Sequence, residues 1–151
     1  MSTWLTSPLE TENPEGNLVL ATVRKDVRKF IDNPRFRYRV EVVWRYTPAD
    51  AGMPSEADSE LMEQVQEAIE KTLDKDPVAV LTGVYTGDGE RDLVFYTLSL
   101  HIFQRKFNEI LEPFPLLPLE FSAEEDPNWE EYRTMLAITS ADDADDAREG
   151  D

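Results

Sequence analysis

Three arginines, Arg37, Arg39 and Arg45, have a residue type and spacing that could bind an anion. They lie at odd-numbered positions of a segment whose even-numbered residues are apolar. Alternate residues of a strand project from one sheet face, about 6.5 to 7 Å apart, and the guanidinium group fits carboxylates as well as phosphates. These arginines, with Val43 beside them, are candidates for binding a partner. The other interpretation is a solvated face, or one paired with the chain's own carboxylates.

Three carboxylates, Asp88, Glu90 and Asp92, form a second candidate group. Oxygen ligands at such spacing could bind a divalent cation, which would suggest a metal-dependent hydrolase. The spacing matches only part of a calcium-binding loop, and the neighbouring glycines, Gly87 and Gly89, are typical of a tight turn. The sequence therefore favours a structural turn, and we predict no metal site and no cofactor.

The sequence offers few residues for catalysis. His101 is its only histidine, and cysteine is absent. One chain therefore cannot form a site of several histidines or a thiolate site. We predict no catalytic residues, and this favours a protein that is not an enzyme.

The composition indicates a folded acidic domain. The chain has 151 residues, of which 40% are hydrophobic, with a net charge of -17. This length suits one domain, and no apolar run is long enough to span a bilayer. The negative charge opposes binding to phosphate backbones, so a nucleic-acid partner is unfavoured. The lack of cysteine fits a reducing compartment, and we expect a cytoplasmic location.

Charge is distributed unevenly along the chain. Residues 24–45 contain eight basic and three acidic side chains, whereas residues 120–151 contain two basic and twelve acidic ones. The last eleven residues lack large apolar side chains, which is typical of disorder. We therefore predict an N-terminal segment at 1–16, a single α+β domain at 17–138 and a disordered acidic tail at 139–151.

Hydrophobic periodicity predicts the elements of that domain. Phe36, Tyr38, Val40, Val42, Trp44 and Tyr46 alternate with polar residues over most of their length, which indicates a strand with an apolar face. Ser55 begins the clearest helix with an N-cap. The predicted order is strand 18–23, helical turn 25–32, strand 36–46, helix 55–75, strands 78–86 and 91–97, a helix after 99, strand 116–121 and a helix from 126.

From residue 36 onward, this order is that of the ferredoxin-like split βαβ arrangement. We predict an α+β fold in which an antiparallel sheet carries helices on one face, with an extra N-terminal strand and a C-terminal helix. The pattern does not place strand 18–23 within the sheet.

The predicted hairpin also shows a family resemblance. Its sequence is Tyr85-Thr86-Gly87-Asp88-Gly89-Glu90-Arg91-Asp92. This hairpin resembles the bacterial family known as domain of unknown function 695. The likeness extends over about 17–136 and includes Gly52-Met53-Pro54 and Trp129. That family has no established reaction, so the resemblance implies no catalytic role for the hairpin residues.

We therefore expect a non-catalytic binding or regulatory module. Its partner would be another protein or a second copy of the chain, contacted through the sheet face that carries the arginines. The alternatives are a metal-dependent hydrolase that uses the hairpin carboxylates and an RNA-binding module that uses the basic strand.

Overall fold

A computed structural model describes the backbone of residues 4–10, 18–49 and 52–149, and the side chains at 4, 19–49 and 52–139. The strands are β1 (Trp4–Glu10), β2 (Leu18–Arg24), β3 (Tyr38–Arg45), β4 (Ala79–Gly87), β5 (Glu90–Thr97) and β6 (Leu119–Glu125). The helices are α1 (Arg28–Ile31), α2 (Glu56–Lys75), α3 (Leu100–Leu111) and α4 (Glu130–Glu149). Strand β1 lies in a segment where the sequence predicted no element.

The six strands form one sheet in the order β1-β2-β4-β5-β3-β6. Each neighbouring pair is antiparallel. The α+β class is confirmed, and nothing in the strand order conflicts with a ferredoxin-like arrangement. Strand β2, which the sequence could not place, pairs with β4 on the side away from β3.

The larger hydrophobic cluster lies between the sheet and helices α2 and α3. Ser55 begins α2 by accepting a hydrogen bond from the Asp58 N–H group at 3.1 Å. The apolar side chains of α2 recur at helical spacing and are buried with alternate residues of β3. The cluster includes Met62, Val65, Ile69 and Leu73 of α2, Val40, Val42 and Trp44 of β3, and Phe103, Phe107 and Ile110 of α3. We call this side of the sheet the helix-covered face.

Phe36 departs from the predicted alternation. Strand β3 begins only at Tyr38, and Phe36 packs in a second cluster with Phe30, Trp129 and Tyr132. The period of two holds for Val40, Val42 and Trp44, but a residue outside the strand need not follow it.

The second cluster covers part of the opposite sheet face. Trp129 is fully buried, stacks on Tyr96 with ring centroids 4.0 Å apart, and donates from Nε1 to the Phe36 carbonyl at 2.7 Å. Helix α4 contacts β1 and β2. The sheet face that was expected to be open is therefore partly closed by the C-terminal region.

Helix α4 begins at Glu130 rather than at Pro127, where the sequence placed its first residue. The Asp126 carboxylate accepts hydrogen bonds from the N–H groups of Glu130 and Glu131 at 2.9 and 3.1 Å. Trp129, just before the helix, has a φ of 55°. The helical backbone extends to Glu149, across most of the predicted tail. In the part of the chain that the structure describes, no helix is both long and apolar enough to cross a membrane.

The predicted β4–β5 hairpin is confirmed. Asp88 and Gly89 have φ values of 52° and 82°, as a two-residue type I′ turn requires. The Gly89 N–H donates to the Gly52 carbonyl at 3.2 Å, and the Tyr46 hydroxyl donates to the same oxygen at 2.8 Å. The hairpin turn is thus joined to the loop that follows β3.

We expect Trp129→Ala to destabilise the protein by about 3 to 5 kcal/mol, because it leaves a cavity and removes a buried hydrogen bond. Urea unfolding followed by circular dichroism would measure the loss. Ile138→Ala, at a position of α4 that is 42% exposed, is the control. A loss for Trp129→Ala no larger than that of the control would contradict the central role of Trp129.

Candidate functional site at the β6 edge

Arg45 is paired with acidic side chains on both neighbouring strands. Its guanidinium group lies 2.6 Å from Glu90 of β5 and 3.2 Å from Glu120 of β6. The hydrogen bond and charge of Glu120 raise the pKa of Arg45 above its ordinary value. The same hydrogen bond and charge lower the pKa of Glu120. Arg45 therefore connects the ends of three strands.

Arg37 and Arg39 make similar contacts at the other end of β6. Arg37 lies 3.1 Å from Glu125, and Arg39 lies 3.5 Å from Glu124 and 3.4 Å from Glu41. The predicted partner-binding arginines thus pair with carboxylates of this chain. An external anion would have to displace those carboxylates.

Val43 and Asp92 lie opposite each other in the β3–β5 register, close to these ion pairs. Burial, with the nearby charges of Glu41 and Glu90, raises the pKa of Asp92 to about 6. Its Oδ1 atom is buried and has no hydrogen-bond partner among the described residues. Burial therefore makes Asp92 easier to protonate than a solvent-exposed aspartate, and this shift cannot be read from the sequence because it depends on burial.

Tyr85 lies in the register opposite Asp92. A Cβ atom added to Gly83 would approach the Tyr85 hydroxyl to 2.7 Å, so the tyrosine ring lies over the glycine. Burial raises the pKa of Tyr85 to about 12. Its phenol is therefore neutral at physiological pH and is a poor candidate for a proton-transfer group.

The remaining hairpin residues contact other parts of the chain. Arg91 donates to Thr86 of β4 at 3.0 Å and to Gln66 of α2 at 2.8 Å. Glu90 is engaged by Arg45, and Asp88 lies in the turn itself. Within the described residues, no group of three or more histidine, aspartate or glutamate side chains is placed to hold a metal ion.

Phe121 marks a feature that the sequence analysis missed. Strand β6 is one of the two edges of the sheet, and Phe121 is 53% exposed although its ring lies 5.6 Å from that of Phe107. Leu116, just before β6, is fully exposed. An apolar residue at an alternating strand position resembles a core residue in sequence, so only the strand order shows that Phe121 is at an edge.

Two open grooves meet at Phe121. One has a volume of about 230 Å³ and lies between β6 and the first half of α3, where Val40, Leu100, Phe103, Gln104 and Asn108 line it. The other, of about 410 Å³, lies toward the end of α3 and is lined by Asn108, Leu111, Glu112, Phe114, Pro115, Leu116, Leu117 and Leu119. We call these the upper and lower grooves. Together they form a largely apolar channel on the helix-covered face, whereas Glu120 and Glu124 project from the opposite face of the same strand.

Asp126 is a buried carboxylate whose pKa moves in the opposite direction from that of Asp92. Burial raises the pKa of Asp126, but a 2.6 Å hydrogen bond from Tyr96 and those from the Glu130 and Glu131 N–H groups outweigh it, and the pKa is lowered. Burial and the same Asp126 contact raise the pKa of Tyr96. Asp126 is therefore held in its ionised form at the start of α4.

These two carboxylates predict opposite pH dependences of stability. The folded-state pKa of Asp92 lies above the ordinary value of 3.8, so stability is lost as the pH rises from about 4 to about 6. Asp92→Asn removes that loss. As the pH rises from 4 to 8, we expect the free energy of unfolding of the variant to increase by about 1 kcal/mol relative to that of wild type. This figure is reduced because Asp92 is partly exposed to solvent.

Asp126→Asn is the matched comparison. Because the folded-state pKa of Asp126 is lowered, its contribution to stability is present above its ordinary pKa and is lost in acid. This variant should be less stable than wild type at pH 7, with a smaller difference below pH 3.8. Urea unfolding across this range would test both variants, and parallel pH curves for the two would contradict the assignments.

The family comparison agrees with the resemblance in the hairpin. A model described as a family of unknown function, DUF695, matches residues 11–137. No curated protein and no solved structure matches the chain. The match includes β2 through the first turns of α4, and with them the arginines of β3, the hairpin and the β6 edge. Since the match covers most of the sequence, the chain belongs to the DUF695 family.

Proposed function

We propose that this protein is a cytoplasmic, non-catalytic binding or regulatory module that acts through contact with another protein. The observation that supports this most directly is the apolar channel around Phe121. A half-exposed aromatic ring between two open grooves is typical of a contact surface. Glu120 and Glu124 lie on the same exposed edge, on the opposite face of β6, where they would contact the margin of a partner bound at this edge.

The arginines act at the same strand edge through the glutamates of β6 that they position, and Glu120 and Glu124 lie on the sheet face opposite the channel. Arg37, Arg39 and Arg45 each contact a glutamate of β6, and Val43 lies between the latter two on the same strand. This pairing supports a protein partner over RNA, because guanidinium groups already bound to carboxylates have less charge to offer a phosphate backbone. The net charge of -17 acts in the same direction.

The size of the surface suggests a transient contact. A channel bounded by one strand and one helix is smaller than the interface of a permanent complex, and signalling contacts are often at the small end of the range. Such contacts depend on a few central side chains. Phe121 is the expected anchor because it lies between the two grooves.

A photo-crosslinking amino acid at position 121 tests this function. We expect ultraviolet light to give a discrete adduct in cells, and mass spectrometry would identify the partner. The same amino acid at position 20, where Leu20 of β2 is 40% exposed, is the control.

The purified partner should then bind Phe121→Ser about tenfold or more weakly than wild type, as expected for a central anchor residue. Light scattering at several concentrations would detect self-association. A monomer that gives no adduct at position 121 beyond that at position 20 would contradict the proposal.

A further inference from the structure

We infer that the partner contributes an extended segment of alternating apolar and basic residues, which adds to β6 as a further strand of the sheet. This inference rests on the proposed function and specifies the chemistry of its partner. Addition of a strand to a sheet edge is an established mode of peptide recognition, in which main-chain hydrogen bonds give affinity and pockets for alternate side chains give specificity.

The hydrogen-bond register shows which backbone groups of β6 are available. The Arg45 N–H donates to the Pro118 carbonyl, and the Asp126 N–H donates to the Arg37 carbonyl. In an antiparallel pair, the residues that face the partner strand alternate with those that face away. Even-numbered residues of β6 therefore face β3, while Phe121 and Ala123 direct their N–H and carbonyl groups outward.

The two grooves fit the side chains of such a strand. Odd-numbered residues of β6 project toward the helix-covered face, because Phe121 and Leu119 lie opposite Val42 and Trp44 of β3. An added strand would place every second side chain on that face, about 7 Å apart. The upper and lower grooves lie on either side of Phe121, and each could receive one apolar side chain.

The opposite face of the same edge favours basic residues. Glu120 and Glu124 project there, and their side chains are 66% and 56% exposed although each contacts an arginine. Cross-strand pairs of opposite charge stabilise a sheet, whereas like charges opposite each other destabilise it. The added strand should therefore carry lysine or arginine at the positions between its apolar residues.

Charge also argues against a second copy of this chain as the occupant. Pairing of β6 with another β6 would bring two sets of exposed glutamates together, and each copy has a net charge of -17. Charged residues on an edge strand prevent unwanted pairing. These charges do not explain why Phe121 is exposed between two grooves. A strand with basic side chains could pair with this edge without charge repulsion.

A synthetic peptide provides the probe. It has nine residues of alternating valine and lysine, with both ends blocked. One control replaces lysine by glutamate. The other keeps the charge but carries N-methyl groups on every second amide, along the edge that would face β6. Binding is measured by fluorescence anisotropy, and amide hydrogen exchange by NMR.

We expect the valine–lysine peptide to bind at least tenfold more tightly than either control. It should also slow the exchange of the Phe121 and Ala123 amides. Equal binding of the N-methylated peptide would show attraction by charge alone and would overturn the inference. Unchanged exchange at Phe121 and Ala123 would do the same.

Ala123→Pro is the most selective variant. Proline removes an N–H group that points away from β3, so the native pairing is retained, as at other edge-strand prolines. We expect peptide binding to fall at least tenfold while the circular dichroism spectrum is unchanged. Phe121→Ser should give a similar loss without a backbone change, and Ile102→Ser, on the side of α3 away from the channel, should bind as wild type does.

The outcomes separate this inference from the proposed function. If the peptide fails to add to β6 but the crosslinker at position 121 captures a partner whose binding needs Phe121, the function stands and the strand addition is wrong. If neither binds, both are wrong. A dimer that Ala123→Pro converts to a monomer would identify a second copy as the occupant and overturn the inference.

Discussion

Strand β3 has one apolar side and one cationic side, and this division determines how the elements around it pack. This strand lies between β5 and β6. Its apolar side, at Val40, Val42 and Trp44, is buried beneath α2 and α3. Its other side carries Arg39 and Arg45, whose charges cannot enter that core without a large desolvation cost. The arginines therefore stay on the opposite side of the sheet, where 16% of the Arg39 side chain and 53% of the Arg45 side chain are exposed and both meet glutamates of β6.

This arrangement gives the arginines a structural role beside any role in binding. Individual surface ion pairs contribute little to stability, but several along one strand favour a single register over its shifted alternatives. A shift of β6 by one residue would move Phe121 to the other face and remove the glutamates from the arginines. The ion pairs and the hydrophobic contacts of Phe121 thus favour the same register.

Local patterns in the sequence predicted the helices and strands better than they predicted which of these elements pair or pack together. The period of two identified β3, the Ser55 cap identified the start of α2, and the Asp-Gly pair identified the hairpin, because each signal is contained within a few residues. The pairing of β2 with β4 and the packing of Phe36 on Trp129 depend on residues far apart in the chain. No local period encodes such contacts.

Local patterns likewise revealed only part of the candidate site. The sequence identified the arginines and offered pairing with internal carboxylates as one interpretation, but it could not show that their partners lie on β6. Phe121 was part of a predicted strand and gave no sign of exposure. Burial raises the pKa of Asp92, whereas hydrogen bonds lower the pKa of Asp126. Both residues are aspartates in acidic stretches of sequence, so the sequence does not distinguish them.

The hydrogen bond between Gly89 and Gly52 has a consequence for how the sequence can change over time. Two motifs that look independent, one in a loop and one in a hairpin, share a single backbone contact. Both glycines have positive φ values, so a residue with a side chain at either would strain its own backbone and with it the shared hydrogen bond. A substitution at either glycine should therefore disturb both segments, so a common constraint on the two motifs reflects physical contact rather than a common activity.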